Sequence, residues 1–455
     1  EGVSIDGNNI IETYTTFKKL AASIRQNPRP VLVEARTFRM RGHEEASGTK
    51  YVPPHLFDEW GKKDPVINYE NFLLAEGVIN EAYIAELRKA IKKDIEDNLS
   101  IAFDESIPKV DTAIELADIY QNSTAAIQIT ANDPTEELRF LDAITQGMDQ
   151  AMQRHPNLVI MGQDVAEYGG VFKATQGFVE KYGKGRVRNT PLCESAIIGA
   201  GFGLSINGYK SIVEMQFADF VTCGFNQIIN NLAKSHYRWG QNADVVVRMP
   251  TGAAVGAGPF HSQSNEAWFT HTPGLKVVYP AFPADAKGLI AASIEDPNPI
   301  MFFEHKALYR SIAGQVPKSY YSIPIGKANL VRSGHQLTIV TYGLAVHWAM
   351  EYLENNKNIN ADLIDLRTLL PWDKDLVMDS VKRTGRVLVF HEDTYTGGFG
   401  GEIAAEINEQ CFNYLDAPVM RLASLDTPVP MNHDLEWNFL PKDKLDAKIK
   451  SLLAY

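Results

Sequence analysis

Asn157-Leu158-Val159-Ile160-Met161 is a short apolar run rich in β-branched residues, and a helical pattern over residues 138–153 leads into it. So short a run with no interrupting charge reads as a strand buried on both faces. The pattern repeats outward along the chain. Apolar runs follow at residues 211–214, 244–248, 275–279 and 300–303, with a helix over 283–293. Strands of this kind alternating with helices predict a mostly parallel sheet covered on both sides. After Pro324-Ile325 a second α/β unit begins, with strands at 337–340, 361–364 and 386–390 and helices at 343–354 and 373–384. Right-handed crossovers would lay these strands side by side.

Toward the amino terminus the pattern weakens. Residues 106–133 scatter short apolar patches among Asp, Ser, Thr and Asn and read as a linker, with room for a short helix over 112–119. Residues 1–105 offer a helix over 11–24, the strand-like Pro30-Val31-Leu32-Val33-Glu34-Ala35, and a charged helix over 81–98. In that helix Ile84, Leu87, Ala90, Ile91 and Ile95 recur at helical spacing. One strand and a few helices cannot bury both faces of a sheet, so this segment is expected to lean on something else. The domains are therefore placed at 1–105, 134–322 and 323–455, with the linker at 106–133.

The 455 residues are enough for about three domains. With 45% apolar and 22% charged residues the chain reads as globular rather than disordered. A formal charge of −12 argues against a nucleic-acid surface, which needs clustered Lys and Arg. No apolar run reaches the ~18 residues that suggest a membrane span. Glu1-Gly2-Val3-Ser4 has neither an initiator Met nor a signal-peptide pattern, so the chain is expected to be cut from something longer. Cys193, Cys223 and Cys411 lie far apart without metal-ligand spacing and read as reduced thiols of a cytoplasmic protein.

Several residues invite chemistry. Glu194 opens the apolar, glycine-rich stretch Ser195-Ala196-Ile197-Ile198-Gly199-Ala200-Gly201-Phe202-Gly203. An acid there either stabilises the helix dipole or serves catalysis. Glycine costs about 1 kcal/mol of helix propensity per residue, so something must want a thin helix. His261, in Gly258-Pro259-Phe260-His261-Ser262-Gln263-Ser264, follows a strand end where open α/β sheets bind ligands. It is either a solvated loop histidine or a proton carrier. His43 follows Arg39, Arg41 and Gly42, which suit an anion or simply a surface loop. Gly397-Gly398-Phe399-Gly400-Gly401 matches no phosphate-loop pattern and reads as a tightly packed turn. Asp296 and Asn298 end a helix before a strand, as a turn or a cation site.

Together these pieces resemble a known family. From about Glu136 onward the chain looks like the β subunit of the thiamine-diphosphate component of 2-oxo acid dehydrogenase complexes. The resemblance rests on Gly162-Gln163-Asp164-Val165, Gly169-Gly170-Val171-Phe172, Asn189-Thr190-Pro191-Leu192-Cys193-Glu194, Gln216-Phe217-Ala218-Asp219-Phe220, His261-Ser262-Gln263-Ser264 and Pro273-Gly274-Leu275-Lys276-Val277-Val278. Residues 1–105 resemble the last third of the α subunit, through Asp6-Gly7-Asn8-Asn9, the stretch from Arg39 to His43, and Trp60 with Asp64-Pro65. The order matches fused α/β versions. The implied fold is a transketolase-like pyrimidine-binding domain plus a transketolase carboxy-terminal domain, preceded by a partial α-subunit remnant.

The resemblance implies oxidative decarboxylation of a 2-oxo acid and transfer of the acyl group to a lipoyl carrier on a partner acyltransferase. Glu194 falls where the family has its essential carboxylate, which hydrogen-bonds the cofactor's aminopyrimidine and promotes its imino tautomer. That chemistry needs a dry site in which a carboxyl group can share a proton. Phe220 matches a ring packed on the aminopyrimidine. His261 matches the histidine that assists acylation of the dithiolane, and His43 an α-subunit catalytic histidine near the cofactor phosphates and the reacting carbon. Asp296 and Asn298 align with a structural potassium (K+) site. Paired β-type subunits imply a homodimer. The motifs lean toward branched-chain 2-oxo acids (2-oxoisovalerate), with pyruvate or acetoin as the alternative. A non-catalytic docking module for the acyltransferase is the reading from another class.

Two departures stand out. The family's diphosphate and magnesium (Mg2+) signature, Gly-Asp-Gly followed by an Asn pair, is absent, and Asn8-Asn9 cannot replace it. An amino-terminally truncated chain with negligible activity on its own is therefore expected. The loop Glu44-Glu45-Ala46-Ser47-Gly48 replaces a Ser-rich, doubly acidic stretch, so regulation by loop phosphorylation is not carried over.

Overall fold

The computed structural model describes residues 1–44, 46–123, 126–129 and 133–455. Glu45 of the loop after His43, and residues 124, 125 and 130–132 of the expected linker, lie outside the described residues. The chain forms two compact units, Glu1–Val110 and Asp111–Tyr455.

In the first unit β1 (Gly2–Asp6) pairs in parallel with β2 (Leu32–Arg36), and the helix Ile10–Gln26 makes the crossover. Asn9 caps that helix by accepting from the Ile11 and Glu12 N–H groups. The sequence reading had one strand here. The missed strand is a five-residue alternation at the chain's end, with no preceding element to frame it. Helices Pro54–Gly61, Pro65–Ala75 and Glu81–Asp104 complete the unit. Among its described residues the buried hydrophobic side chains are only Ile5 and Ile84, while Leu87, Ile91, Ile95 and Leu99 stand exposed along one helix. The unit buries too little apolar surface to be a self-sufficient domain.

The strands of the second unit are β3 (Thr135–Arg139), β4 (Leu158–Gly162), β5 (Val187–Asn189), β6 (Lys210–Glu214), β7 (Val245–Thr251), β8 (Lys276–Val278), β9 (Ile300–His305) and β10 (Ala313–Pro317), then β11 (Asn329–Arg332), β12 (Leu337–Thr341), β13 (Ala361–Asp365), β14 (Thr368–Leu370), β15 (Val387–Thr394) and β16 (Met420–Ser424). A seven-stranded sheet runs β14-β8-β9-β7-β6-β4-β5, parallel except for its edge strand β14. β4, β7 and β9 are buried at every position, which is why their sequences are mostly apolar rather than alternating, with Arg248, Glu304 and His305 as buried exceptions. A five-stranded sheet runs β11-β13-β12-β15-β16, with β11 antiparallel.

β14 comes from the carboxy-terminal half yet closes the edge of the first sheet. The two α/β halves therefore share a sheet, and the second is held firmly against the first. β3 pairs with β10 in a separate antiparallel ribbon, so the helix expected from residue 138 starts at Phe140. Helices Phe140–Arg154 and Pro283–Glu295 cross so closely that a Cβ on Gly147 would lie 2.6 Å from Ile290 Cγ2.

The linker region contains a short helix, Thr112–Ala117, capped by Asp111. Beyond it the chain is tied to the larger unit: the Tyr120 hydroxyl donates to Leu275 O, and the Ile127 N–H to Ser322 Oγ. Among the described residues no helix is long and apolar enough to cross a membrane.

Candidate active site

Glu194 is the first residue of the helix Glu194–Ile206 and is 7% exposed. Its Oε1 accepts a 3.0 Å hydrogen bond from Gln163 Nε2, in the loop that leaves the carboxy-terminal end of β4. No side chain caps this helix, and among the described residues no backbone N–H donates to the Glu194 carboxylate. Helix capping therefore does not account for the burial of this acid. Among the described residues no protein group donates to its Oε2.

The thin helix has a physical cause. A Cβ on Gly201 would stand 3.0 Å from both Ser211 Oγ and Val213 Cγ1, so the helix lies directly on β6. Gly203 meets nothing within 4 Å, and within the unit its missing side chain serves no contact.

A 3-10 turn, Ala218–Gly224, lies across the start of the Glu194 helix. A Cβ on Gly224 would collide with Ile198 Cδ1 and sit 3.3 Å from the Glu194 carbonyl oxygen. This turn carries Phe220, whose ring meets the His261 imidazole edge-on at 5.4 Å. Phe217 meets the same imidazole at 4.7 Å and Phe220 at 5.7 Å, so three rings form one cluster. Asp219 reaches the loop itself: its Oδ1 accepts from the Gln263 N–H at 3.2 Å, while its buried Oδ2 has no hydrogen-bond partner among the described residues. The expected residues Glu194, Phe220 and His261 thus come from three elements stacked at one end of the seven-stranded sheet.

His43 belongs to the first unit, exposed in the loop that follows β2. Nearby, Phe38 stacks on Trp60 at 5.8 Å. At Asp296 the Lys276 ammonium donates to Oδ2 at 2.6 Å, and the Asn298 backbone and side-chain N–H groups donate to Oδ1. Asn298 also exchanges two hydrogen bonds with the Gln121 backbone. A potassium ion bound through these side chains would have to compete with Lys276 for the carboxylate. Two glycines of the 397–401 stretch are packing glycines: a Cβ on Gly398 would collide with Thr394 O, and one on Gly400 with the buried His391 ring. Burial, followed by the charge of Arg421, pulls that imidazole down to about 4.

Two groups of charged residues escaped the sequence reading. The first is a buried triad on β6, β7 and β9, with Glu214 and Glu304 toward the carboxy-terminal ends of their strands and Arg248 in the middle of β7. Arg248 donates through Nε and Nη2 to both oxygens of Glu304 at 2.7 Å, and through Nη1 to Glu214 at 2.5 Å. Burial would lower the guanidinium's affinity for its proton, but the two carboxylates outweigh it and hold Arg248 above its usual range. Burial, opposed by Arg248 and reinforced by Glu304, raises Glu214. The second is Lys306, whose Nζ donates to Gly252 O at 2.6 Å and lies 5.8 Å from the Phe217 ring centroid. Burial pulls this amine down to about 8, against the opposing charges of Asp219, Glu392 and Glu436. Charged residues closing an otherwise apolar strand, as in Phe302-Phe303-Glu304-His305-Lys306, were the available signal.

The comparisons with known proteins follow the same division. Residues 1–111 match the family described as dehydrogenase E1 component, residues 136–311 the transketolase pyrimidine binding domain, and residues 326–444 the transketolase C-terminal domain. The chain is 45% identical over 327 residues to 2-oxoisovalerate dehydrogenase subunit beta 2, mitochondrial, of Arabidopsis thaliana, covering 70% of this chain and 90% of that protein. It is 44% identical to 2-oxoisovalerate dehydrogenase subunit beta of Bacillus subtilis, covering 70% of this chain and 99% of that one. With pyruvate dehydrogenase E1 component subunit beta of Mycoplasma pneumoniae it shares 41% identity over 69% of this chain and 97% of the other. A solved structure described as split gene transketolase, inactive beta4 tetramer, shares the fold, with a TM-score of 0.56 and 21% identity over 70% of this chain and 98% of that one. The chain belongs to the transketolase-like dehydrogenase E1 family, alongside the β subunits of 2-oxoisovalerate and pyruvate dehydrogenases.

Proposed function

We propose that this chain serves a 2-oxo acid dehydrogenase complex, in which it takes part in oxidative decarboxylation and passes the acyl group to a lipoyl carrier. The observation that carries the reading is the Glu194 carboxylate: buried, held through one oxygen by Gln163, and free of a protein donor at the other. Such an acceptor beside the Phe220 ring fits the aminopyrimidine end of thiamine diphosphate, a flat heterocycle with a ring nitrogen that can be protonated. When bound, that cofactor supplies the carbon nucleophile and the electron sink for decarboxylation. Glu194 holds and shares a proton at its Oε2, Gln163 fixes the carboxylate plane, and Phe220 covers one side of the ring. His261 acts on the acyl-transfer side, where an imidazole carries a proton to the dithiolane sulfur.

The diphosphate end is different. Among the described residues no three His, Cys, Asp or Glu side chains gather as metal ligands. The sequence lacks the family's Gly-Asp-Gly with its following Asn pair, and on that ground we assign no magnesium ligand to this chain and limit His43 to a phosphate-side role in the assembled enzyme. A second copy of the chain and a lipoyl-bearing acyltransferase are the proposed partners. Light scattering that gives a monomer would overturn the first.

The substrate proposed is a branched-chain 2-oxo acid, in keeping with the names of the Arabidopsis and Bacillus relatives. The Mycoplasma relative favours a second reading, pyruvate. Steady-state rates of the holoenzyme on 3-methyl-2-oxobutanoate and on pyruvate decide between them. Glu194→Gln separates both from a mere docking module, which would lose nothing.

A further inference from the structure

The loop that carries His261 is gripped by the carboxy-terminal half of the chain at three places. Its first turn is held by Glu392, whose Oε1 accepts the Ala253 N–H at 2.6 Å and the Ser264 hydroxyl at 3.2 Å. Its middle is held by Glu436, on the helix His433–Phe439, whose two oxygens accept the Gly256 N–H at 3.3 and 3.1 Å. Near its tip, Met431 packs so tightly on Gly258 (φ +72°) that any Cβ there would overlap the thioether sulfur. Lys306 and Asp219 hold the two ends from the first sheet, at Gly252 O and Gln263 N–H.

Glu436 is the odd member of this frame. It is 2% exposed; the N–H of the exposed Gly256 is the only hydrogen-bond donor to its carboxylate among the described residues, and the charge of Lys306 acts on it as well. Burying a carboxylate costs free energy unless it is paired or hydrogen-bonded. A charge-assisted bond to a backbone N–H is roughly twice as strong as a neutral one. A buried acid spent on one loop N–H makes sense where the position of that loop matters.

We propose that Glu436 is a positioning residue for His261, by which the carboxy-terminal domain sets the acyl-transfer loop. The claim rests on the role proposed above for His261, and its test separates the two. Glu436→Leu removes the acceptor, and Glu436→Gln keeps one acceptor oxygen without the charge. Hydrogen–deuterium exchange of the isolated chain reads the loop directly. Residues 252–264 are expected to exchange at least about tenfold faster in the Leu variant, with Gln intermediate.

In the assembled holoenzyme, the ratio of lipoyl acylation to decarboxylation (the latter followed with an artificial electron acceptor) should fall at least about tenfold, since a loop shifted by 1 Å can cost far more. Gln should restore part of it. Unchanged exchange in both variants overturns the proposal, and so does an equal fall of both half-reactions, which is what a merely structural glutamate would give. Should Glu436→Leu fail to fold, Glu436→Gln decides by the same readouts. If His261→Ala leaves the ratio at wild type, the role given to His261 fails, and loop exchange still decides whether Glu436 holds the loop.

Discussion

Gln163 Nε2 and Glu194 Oε1 are joined by a 3.0 Å hydrogen bond between two side chains that are each more than nine-tenths buried. An amide can donate to one carboxylate oxygen without taking the other, so it orients the acid and leaves its second oxygen for a ligand. Glu194→Gln should therefore fold normally and lose turnover by about 10²–10⁴, the range over which a positioned proton carrier contributes. A holoenzyme rate within tenfold of wild type would exclude Glu194 from the chemistry.

Gln163 should matter less, and differently. Gln163→Leu leaves Glu194 buried but with one donor fewer, a loss of about 1–3 kcal/mol for a buried polar group left unpaired. The expected result is a fall in kcat without a matching rise in the KM for the 2-oxo acid. It should come with a changed circular-dichroism signal from bound cofactor. An effect on KM alone would place Gln163 in substrate binding instead.

The parallel sheets were legible because β4, β7 and β9 are buried on both faces and so write themselves as mostly apolar runs, charged only at Arg248 of β7 and at the end of β9. β1, β3 and β10 were not, because short half-exposed strands alternate over five residues and look like loop. Of the site, Glu194 and His261 could be singled out by position: an acid at a helix start, a histidine beyond a strand end. Gln163, Lys306 and Glu436 could not be, since each acquires its role from a partner distant in sequence. The Gly256–Glu436 contact spans 180 residues.

The chain contains no Gly-Asp-Gly with a following Asn pair, so the charged end of thiamine diphosphate lacks its family anchor in these residues. Calorimetric titration of this chain with thiamine diphosphate and Mg2+ should give a Kd no tighter than about 100 μM. Micromolar affinity would show that the diphosphate is held by residues not identified above.

The triad of Glu214, Arg248 and Glu304 makes a stability prediction that does not involve the cofactor. Removing its cation strands two buried carboxylates, so Arg248→Met should cost about 3–5 kcal/mol, visible as a large drop in Tm. Replacing the partners as well, with Glu214→Leu and Glu304→Leu, should recover much of that loss, because a well-packed apolar group avoids the desolvation of charge. A triple variant less stable than Arg248→Met would show that the triad contributes net stability beyond its own burial cost.

Asp365 carries the clearest pH signature. It is fully buried at the end of β13, its Oδ2 has no hydrogen-bond partner among the described residues, and Oδ1 accepts from the Arg367 N–H at 3.0 Å. Burial first, then the charge of Asp285, pushes its carboxyl up to about 8, against the opposing Arg367. In the unfolded chain the same group would titrate near 3.8. Between those two values the folded state holds a proton that the unfolded state has released. Stability must then fall as pH rises through that window, and level off above it where both states are ionised. Asp365→Asn keeps the acceptor for Arg367 and cannot ionise. Thermal melts should show the variant equal to wild type near pH 3.5 and progressively more stable from pH 4 to 8, with the gap constant above. A gap that is already full at pH 4, or one that shrinks as pH rises, would mean that the buried carboxyl does not hold its proton in the folded protein.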